Sequence, residues 1–314
     1  MTVFISTLGQ MGFLAVLIVI GYCLTKFKLL PDNGTAVLSK LENYVFIPCL
    51  VLGTFMQNFT VDSLSYAWQY VLCGFVTVTM SIPVAIFVSK ASSRDRYIQN
   101  IYTYGLSFSN FGFMGNAVVS ALFPDIFDEY LIFLLPFWVY IYIWGVPSLL
   151  MPHGEGKTSF SSRLKPLLNP MFIGMIIGIV IGLLSVPVPK FLTSSVSTLG
   201  SCMSPIAMIL TGMTIAKTDF LSMFKKPSVY VVSAVRLLAM PLVAVLLFAF
   251  WKLPYGLMLC TVCALAMPLG LNTIVIPNAY GKDTSTAASM ALISHLASIG
   301  TIPLIFMLFE MVVK

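Results

Sequence analysis

Residues 109 to 119 read SNFGFMGNAVV, a stretch apolar enough to lie in a bilayer that nevertheless carries Asn110, Gly112, Gly115 and Asn116. A second such stretch, MPLGLN at 267 to 272, carries Pro268, Gly270 and Asn272. Helix-breaking residues in hydrocarbon free backbone N–H and C=O groups, each costing several kcal/mol unless protein or a water-filled cavity satisfies it. The chemistry open to such a pair of breaks is anion binding. A half-helix N-terminus presents free N–H groups and the positive end of its dipole, which suits a carboxylate. The expected substrate contacts are Asn110, Phe111, Gly112, Met114, Gly115 and Asn116 from the first stretch, and Pro268, Leu269, Gly270 and Asn272 from the second. The plainer reading is packing, because Gly lets membrane helices approach and Asn can hydrogen-bond a neighbouring helix. Two clusters at matching places, each with Asn, favour a site.

Two ionisable residues join this list. Arg236, in VVSAVRLLAMPLVA, lies well inside an apolar run, where an arginine is costly and should face protein or water. It could attract an anionic substrate or replace a coupling cation; equally, it could pair with a carboxylate or reach toward the surface. His295, in ALISHLASIGTIP, has a titration range that suits proton coupling, and its alternative is a helix-to-helix hydrogen bond. Other motifs carry less. Cys260 and Cys263 form CTVC within an apolar run and read as small buried residues rather than metal ligands. GEGKT at 154 to 158 lacks the leading Gly of a phosphate-binding loop, since Met151 stands there. Asn58, in NFT, matches a glycosylation acceptor relevant only to a eukaryotic secretory pathway. No Ser/His/Asp arrangement or metal-ligand spacing points to an enzyme, and no cofactor is expected.

The elements that must hold these residues are membrane helices. Apolar residues make up 59% of the chain and charged residues 9%, with a mean hydropathy of +0.97, which excludes a soluble globular domain. Runs of about 20 apolar residues give ten candidate spans, near 3–25, 35–57, 64–89, 97–123 and 127–151, then 168–187, 192–216, 227–251, 254–280 and 285–312. The runs are continuously apolar, without the alternation of a barrel strand. The first lacks a basic leader and a small-residue cleavage site and reads as a retained span. Lys26, Lys90, Arg94, Lys157, Lys217 and Lys282 fall near odd-numbered connections, whereas Lys190, Lys252 and Lys314 fall opposite. The odd connections are therefore expected in the cytoplasm and both termini outside, in a multi-pass plasma-membrane protein. The net charge of +6 reflects that topology and not nucleic-acid binding.

The chain also reads as duplicated. Pro48, in NYVFIPCLVLGTF, and Pro205, in SCMSPIAMILTGM, interrupt the second and seventh spans about half the chain apart. A shift of 158 positions, one more than separates the two prolines, sets SNFGFM on MPLGLN, pairing Asn110 with Pro268, Gly112 with Gly270 and, further on, Asp125 with Asp283. Five spans per repeat is odd, so the halves must insert with opposite orientation. The fold class expected is all-α integral membrane: ten transmembrane helices in a 5+5 inverted repeat, with broken crossing helices 4 and 9. Its units are 1–152, a cytoplasmic linker at 153–166 and 167–314. Gly174, Gly178 and Gly182 in the sixth span, at four-residue spacing without an amide, read as a packing stripe.

FSNFGFMGNAVVSALF, AMPLGLNTIVIPNAYGKD, LTGMTIAK and LLNPMFIG together resemble the auxin efflux carrier family, including its bacterial malate and malonate permease-like members, over nearly the whole chain. The resemblance implies spans four and nine crossing beside the substrate and an elevator-like exchange. It also implies a scaffold and dimer contact from spans one, two, six and seven. The family's crossover asparagine corresponds to Asn110 and its second-crossover proline to Pro268; where many members have Gly-Ile-Pro, this chain has Gly115, Asn116 and Ala117.

The expected function is a secondary carrier, uniporter or proton-linked, for small organic anions such as malate or malonate; an auxin-like aromatic acid exporter or a channel-like ion pathway is the alternative. Moving one negative charge out through an inside-negative potential gains about 2.3 kcal/mol per 100 mV. Export therefore needs no coupling ion. Glu42, Glu310, Asp125 and Asp283 are expected at helix ends, leaving no carboxylate relay at mid-membrane. The expected partners are the lipid bilayer, a carboxylate substrate, a proton as candidate co-substrate and a second copy of the chain.

Overall fold

The computed structural model describes residues 2–61, 64–151, 170–217, 223–251 and 253–313, so the expected linker and GEGKT lie outside the described residues. The described residues are helical, with one isolated antiparallel bridge, between Ser109 and Leu269. Among them, seven helices are long and apolar enough to cross a membrane: Ile5–Lys26, Gly34–Asn58, Ser65–Ser92, Pro124–Leu150, Lys190–Lys217, Pro227–Phe250 and Ser285–Val313. Large apolar side chains point outward from them, such as Phe87 at 75% and Phe250 at 83% exposed, a surface that requires lipid as its solvent.

The helices are α1 (Thr2–Lys26), α2 (Gly34–Leu41), α3 (Ile47–Asn58), α4 (Leu64–Ser92), α5 (Arg96–Ser107), α6 (Asn116–Leu122), α7 (Phe127–Phe133) and α8 (Leu135–Tyr140) in the first half. The second half holds α9 (Pro170–Leu183), α10 (Lys190–Ser201), α11 (Met203–Lys217), α12 (Pro227–Ala234), α13 (Met240–Phe250), α14 (Tyr255–Ala266), α15 (Asn272–Ala279) and α16 (Ser285–Val313). Prolines set many of the joints. Pro48 sits in the first turn of α3, just after a stretch of π-helix at Glu42–Phe46 that joins it to α2. Pro205 follows the turn at Cys202 that separates α10 from α11. Proline has no N–H to complete the preceding turn, so the helix widens or breaks on its N-terminal side.

Small residues bring the remaining helices together. Gly21 of α1 lies against the backbone of Ile209 in α11, and Gly212 of α11 lies against that of Ile18. The stripe Gly174, Gly178 and Gly182 on α9 rests on the carbonyls of Pro48, Leu52, Phe55 and Phe59 along α3, so it is a packing surface. Lipid is as apolar as a side chain, so helices in a bilayer gain by such close backbone approach. Elsewhere α4 packs on α5, α7 and α8, while α16 packs on α12, α13 and α14.

A methyl group at Gly212 would lie 1.9 Å from the Ile18 carbonyl oxygen, whereas one at Gly300 would meet nothing within 4 Å. Gly212→Val is expected to reduce folded, monodisperse protein severalfold in size-exclusion profiles. Gly300→Ala should leave the profile unchanged.

Candidate functional site

Two helices stop in the interior of the protein, and their ends meet. α5 begins on an Asp95 side chain that accepts from the Ile98 N–H, and it gives way at Phe108, whose backbone is extended. α14 gives way at Met267, also extended. The two extended pieces run antiparallel: the Asn110 N–H donates to the Pro268 carbonyl at 2.8 Å, and the Ser109 hydroxyl donates to the Ala264 carbonyl at 2.7 Å. Gly270 allows this approach, because a Cβ there would lie 2.3 Å from the Phe108 carbonyl oxygen. Beyond the junction the chain coils again, as π-helix Phe111–Gly115 leading into α6 on one side and as α15 on the other.

Arg236 closes the carbonyl ends of both broken helices. Its Nη1 donates to Leu106 at 2.9 Å, its Nη2 to Ala264 at 2.6 Å and its Nε to Met267 at 3.2 Å, all backbone oxygens. The side chain is fully buried and issues from a π-helical stretch, Val235–Ala239, that precedes Pro241. A cation at two helix C-termini meets the negative ends of both dipoles and satisfies carbonyls that have no intrahelical partner. Arg236 therefore neither reaches the surface nor depends on a carboxylate, and its geometry is that of a clamp on the junction.

The amides occupy the opposite polarity. Asn110 Nδ2 lies 2.9 Å from His295 Nε2, and His295 Nδ1 lies 2.8 Å from the Ala291 carbonyl on its own helix. Asn272 Nδ2 donates to the Tyr104 hydroxyl at 2.8 Å. The Oδ1 atoms of Asn110, Asn116 and Asn272 are buried without a hydrogen-bond partner among the described residues. Unsatisfied buried acceptors in a folded protein require an explanation, and a ligand or water site is one. Tyr104, Phe108, Gly112, Trp138, Gly270 and Asn272 line a space of about 10 Å³ at the junction, room for about one water. Beside it, a cavity of about 390 Å³ is bounded by α1, Met114 and α16, with His295 and Tyr22 as its polar edge.

Of the expected residues, Asn110, Phe111, Gly112, Pro268, Leu269, Gly270 and Asn272 are gathered at the junction, and Met114 and His295 border the larger cavity. Gly115 lies under the Tyr130 hydroxyl, and Asn116 opens α6. Pro48 and Pro205 lie in the α3 and α11 helices, outside the junction. Tyr104, Ser109 and Trp138 belong to the site without having been singled out, because aromatic and Ser residues in apolar runs look like ordinary core. Glu42 corrects an expectation: it does not stand at a helix end. It is fully buried in the π-helical stretch after α2, and neither carboxyl oxygen has a hydrogen-bond partner among the described residues. Cys260 and Cys263 are buried free thiols in α14.

Broken helices that meet around unsatisfied polar groups inside a helical membrane protein are an arrangement found in secondary transporters. Residues 6–306 match the family described as Membrane transport protein, and the chain belongs to that family, the auxin efflux carriers. No curated protein matches it in direct sequence comparison. The family is one of transporters and not of enzymes, so the chain is a multi-pass membrane protein that moves a small molecule.

Removing the clamp should be costly. Arg236→Met leaves the Leu106 and Met267 carbonyls unpaired, at about 1–3 kcal/mol each, and the Ala264 carbonyl with the Ser109 hydroxyl as its remaining donor. The variant is expected to melt well below the wild type in a detergent thermal-shift assay. Arg236→Lys, whose three donors radiate from one nitrogen and cannot span the three carbonyls as the planar guanidinium does, should fall between them.

Proposed function

We propose that this protein is a secondary carrier for small organic anions that binds a carboxylate where the two broken helices meet. The observation that carries this reading is the division of charge at the junction. Arg236 covers the carbonyl ends of α5 and α14, and the N–H groups of Phe111 and Gly112 on one side and of Asn272 on the other lie at the positive dipole ends that follow, whereas Thr273 and Ile274 already donate to Gly270 and Leu271. An anion is the ligand such an array favours. The Asn110, Asn116 and Asn272 side chains add adaptable polar contacts, with Phe111, Met114 and Leu269 as apolar walls. Malate and malonate are the substrates of first choice. The apolar cavity beside Met114 and His295 favours an aromatic acid as the second reading.

In this reading the chain has ten spans in two inverted five-helix repeats, 1–152 and 167–314, with the fourth and ninth crossing. Helix pairing supports it: under a half-chain shift α1 corresponds to α9 and α3 to α11, and α1 packs on α11 as α9 packs on α3. Pro83 and Pro241 fall at corresponding places in the same way. The group α1, α2–α3, α9 and α10–α11 would form a static scaffold and dimer contact, and the others would move the substrate as an elevator. Both termini would lie outside the plasma membrane, as the distribution of lysines suggests.

The test is exchange of labelled malate in proteoliposomes, with malonate, citrate and indole-acetate as competitors. Asn110→Ala and Pro268→Ala are each expected to lower exchange roughly tenfold, the equivalent of one charge-assisted contact, with folded protein little changed. Normal exchange by both variants would remove the junction from the transport path.

A further inference from the structure

The contacts around Asn110 pose a problem for the carboxylate reading, and its solution assigns His295 a role. A carboxylate has no proton to donate, yet the free polar atom of Asn110 is its Oδ1, an acceptor. The Nδ2 group that could greet an anion is turned away, toward His295 Nε2 at 2.9 Å. That orientation is forced by the ring. His295 Nδ1 faces the Ala291 carbonyl at 2.8 Å, and a carbonyl only accepts, so Nδ1 carries the proton. In the neutral ring Nε2 then has a lone pair, and only an N–H can face it. The tautomer and the amide orientation are one linked choice, and neither can change alone.

Protonation of the ring reverses that choice. When Nε2 takes a proton from water it becomes a donor, and only the Asn110 Oδ1 can then face it. The amide turns over, and its NH2 group points where the bare oxygen had been. Asn272 has no such lock, because its partner is the Tyr104 hydroxyl, which can donate or accept as it rotates. We infer that His295 is a positioning residue that sets the polarity of Asn110: neutral, it shows the site an acceptor; protonated, it shows a donor and a positive charge, so carboxylate binding carries one proton with it. This rests on the carboxylate reading above and gives it a coupling route. The proton comes from solution when the anion binds and returns when the anion leaves, so a monocarboxylate would cross without net charge.

The surroundings leave His295 as the group that titrates. Tyr22 faces it from α1 across the 390 Å³ cavity. The other elements packed on α16 carry Arg236, held on three carbonyls, Arg96, Tyr97, Tyr102 and Tyr104 of α5, Tyr230 of α12 with Lys226 before it bound to Thr286, Tyr255, Cys260 and Cys263 of α14, and Lys217 at the end of α11, itself bound to Asp32 and Thr35. Those helices contribute no Asp or Glu. The sign follows from linkage: a ligand that prefers the protonated ring binds more weakly as pH rises, and its binding takes up protons.

The chain has two histidines, His153 and His295, so His153→Gln leaves a single imidazole to observe. In proteoliposomes of that variant labelled with 15N-histidine, the ligand-free spectrum at alkaline pH should show Nδ1 protonated and Nε2 bare. Saturating malate or indole-acetate, at a pH where the free ring is still neutral, should convert both nitrogens to the protonated form. Calorimetry in two buffers of different ionisation enthalpy should find about one proton taken up per carboxylate bound by the wild type. In His295→Gln, whose amide can meet Asn110 either way, uptake should vanish and affinity should lose its pH dependence. A ring that stays neutral with carboxylate bound, a free ring protonated on Nε2 instead of Nδ1, or proton uptake undiminished in His295→Gln would overturn this role and leave the carboxylate site standing. Failure of the wild type to bind any carboxylate at any pH would overturn both.

Discussion

Everything at the centre of this protein follows from one requirement: two helices end inside a membrane protein, and their backbone groups must find partners without water. The solution is mutual. The extended residues after α5 and α14 bond to one another through Asn110 and Pro268, and one arginine gathers the carbonyls that remain. Arg236 is costly in a bilayer, and its burial is offset by three backbone acceptors and two helix dipoles. Once both carbonyl ends are covered, the junction keeps the polarity of its N–H ends. The character of the junction is thus defined by what the arginine leaves open.

The rest of the fold supports that junction from outside. Glycines let α1 close on α11 and α9 on α3, backbone against backbone, so these helices form firm contacts without polar groups. Aromatic residues fill the space around the breaks: Phe111 packs edge-on against Phe137 and Trp138, and Phe108 against Tyr104 and Trp144. Such packing fixes where the half-helices point and leaves little room between them. The larger apolar cavity carries His295, the partner of Asn110, on its edge. Glu42 stands apart from all this, a carboxyl without a hydrogen-bond partner among the described residues, in the π-helical joint between α2 and α3.

The membrane class, the helical nature and the positions of the breaks were legible in the sequence, because each rests on local chemistry. Apolar runs must be helical in lipid, and a close cluster of Asn, Gly and Pro inside one of them marks where the ladder can break. Those rules place Asn110, Gly112, Pro268, Gly270 and Asn272 at two breaks, and the fold brings the two breaks together. They also marked Gly174, Gly178 and Gly182 as a packing face, since small residues one turn apart without a polar atom can do little else.

What only the tertiary structure decided is the identity of partners. The sequence left Arg236 open among substrate, carboxylate, coupling cation and surface, because its three acceptors come from residues 106, 264 and 267 and backbone carbonyls carry no signature in a sequence. His295 and Asn110 meet across most of the chain, so a hydrogen bond that was one option for a lone histidine became a particular bond with a particular tautomer. Glu42 was placed at a helix end because charges are expected there, and the fold buried it, since helix limits depend on how neighbours pack. Local patterns fix which groups must be satisfied; the three-dimensional fold alone brings up the group that satisfies each one.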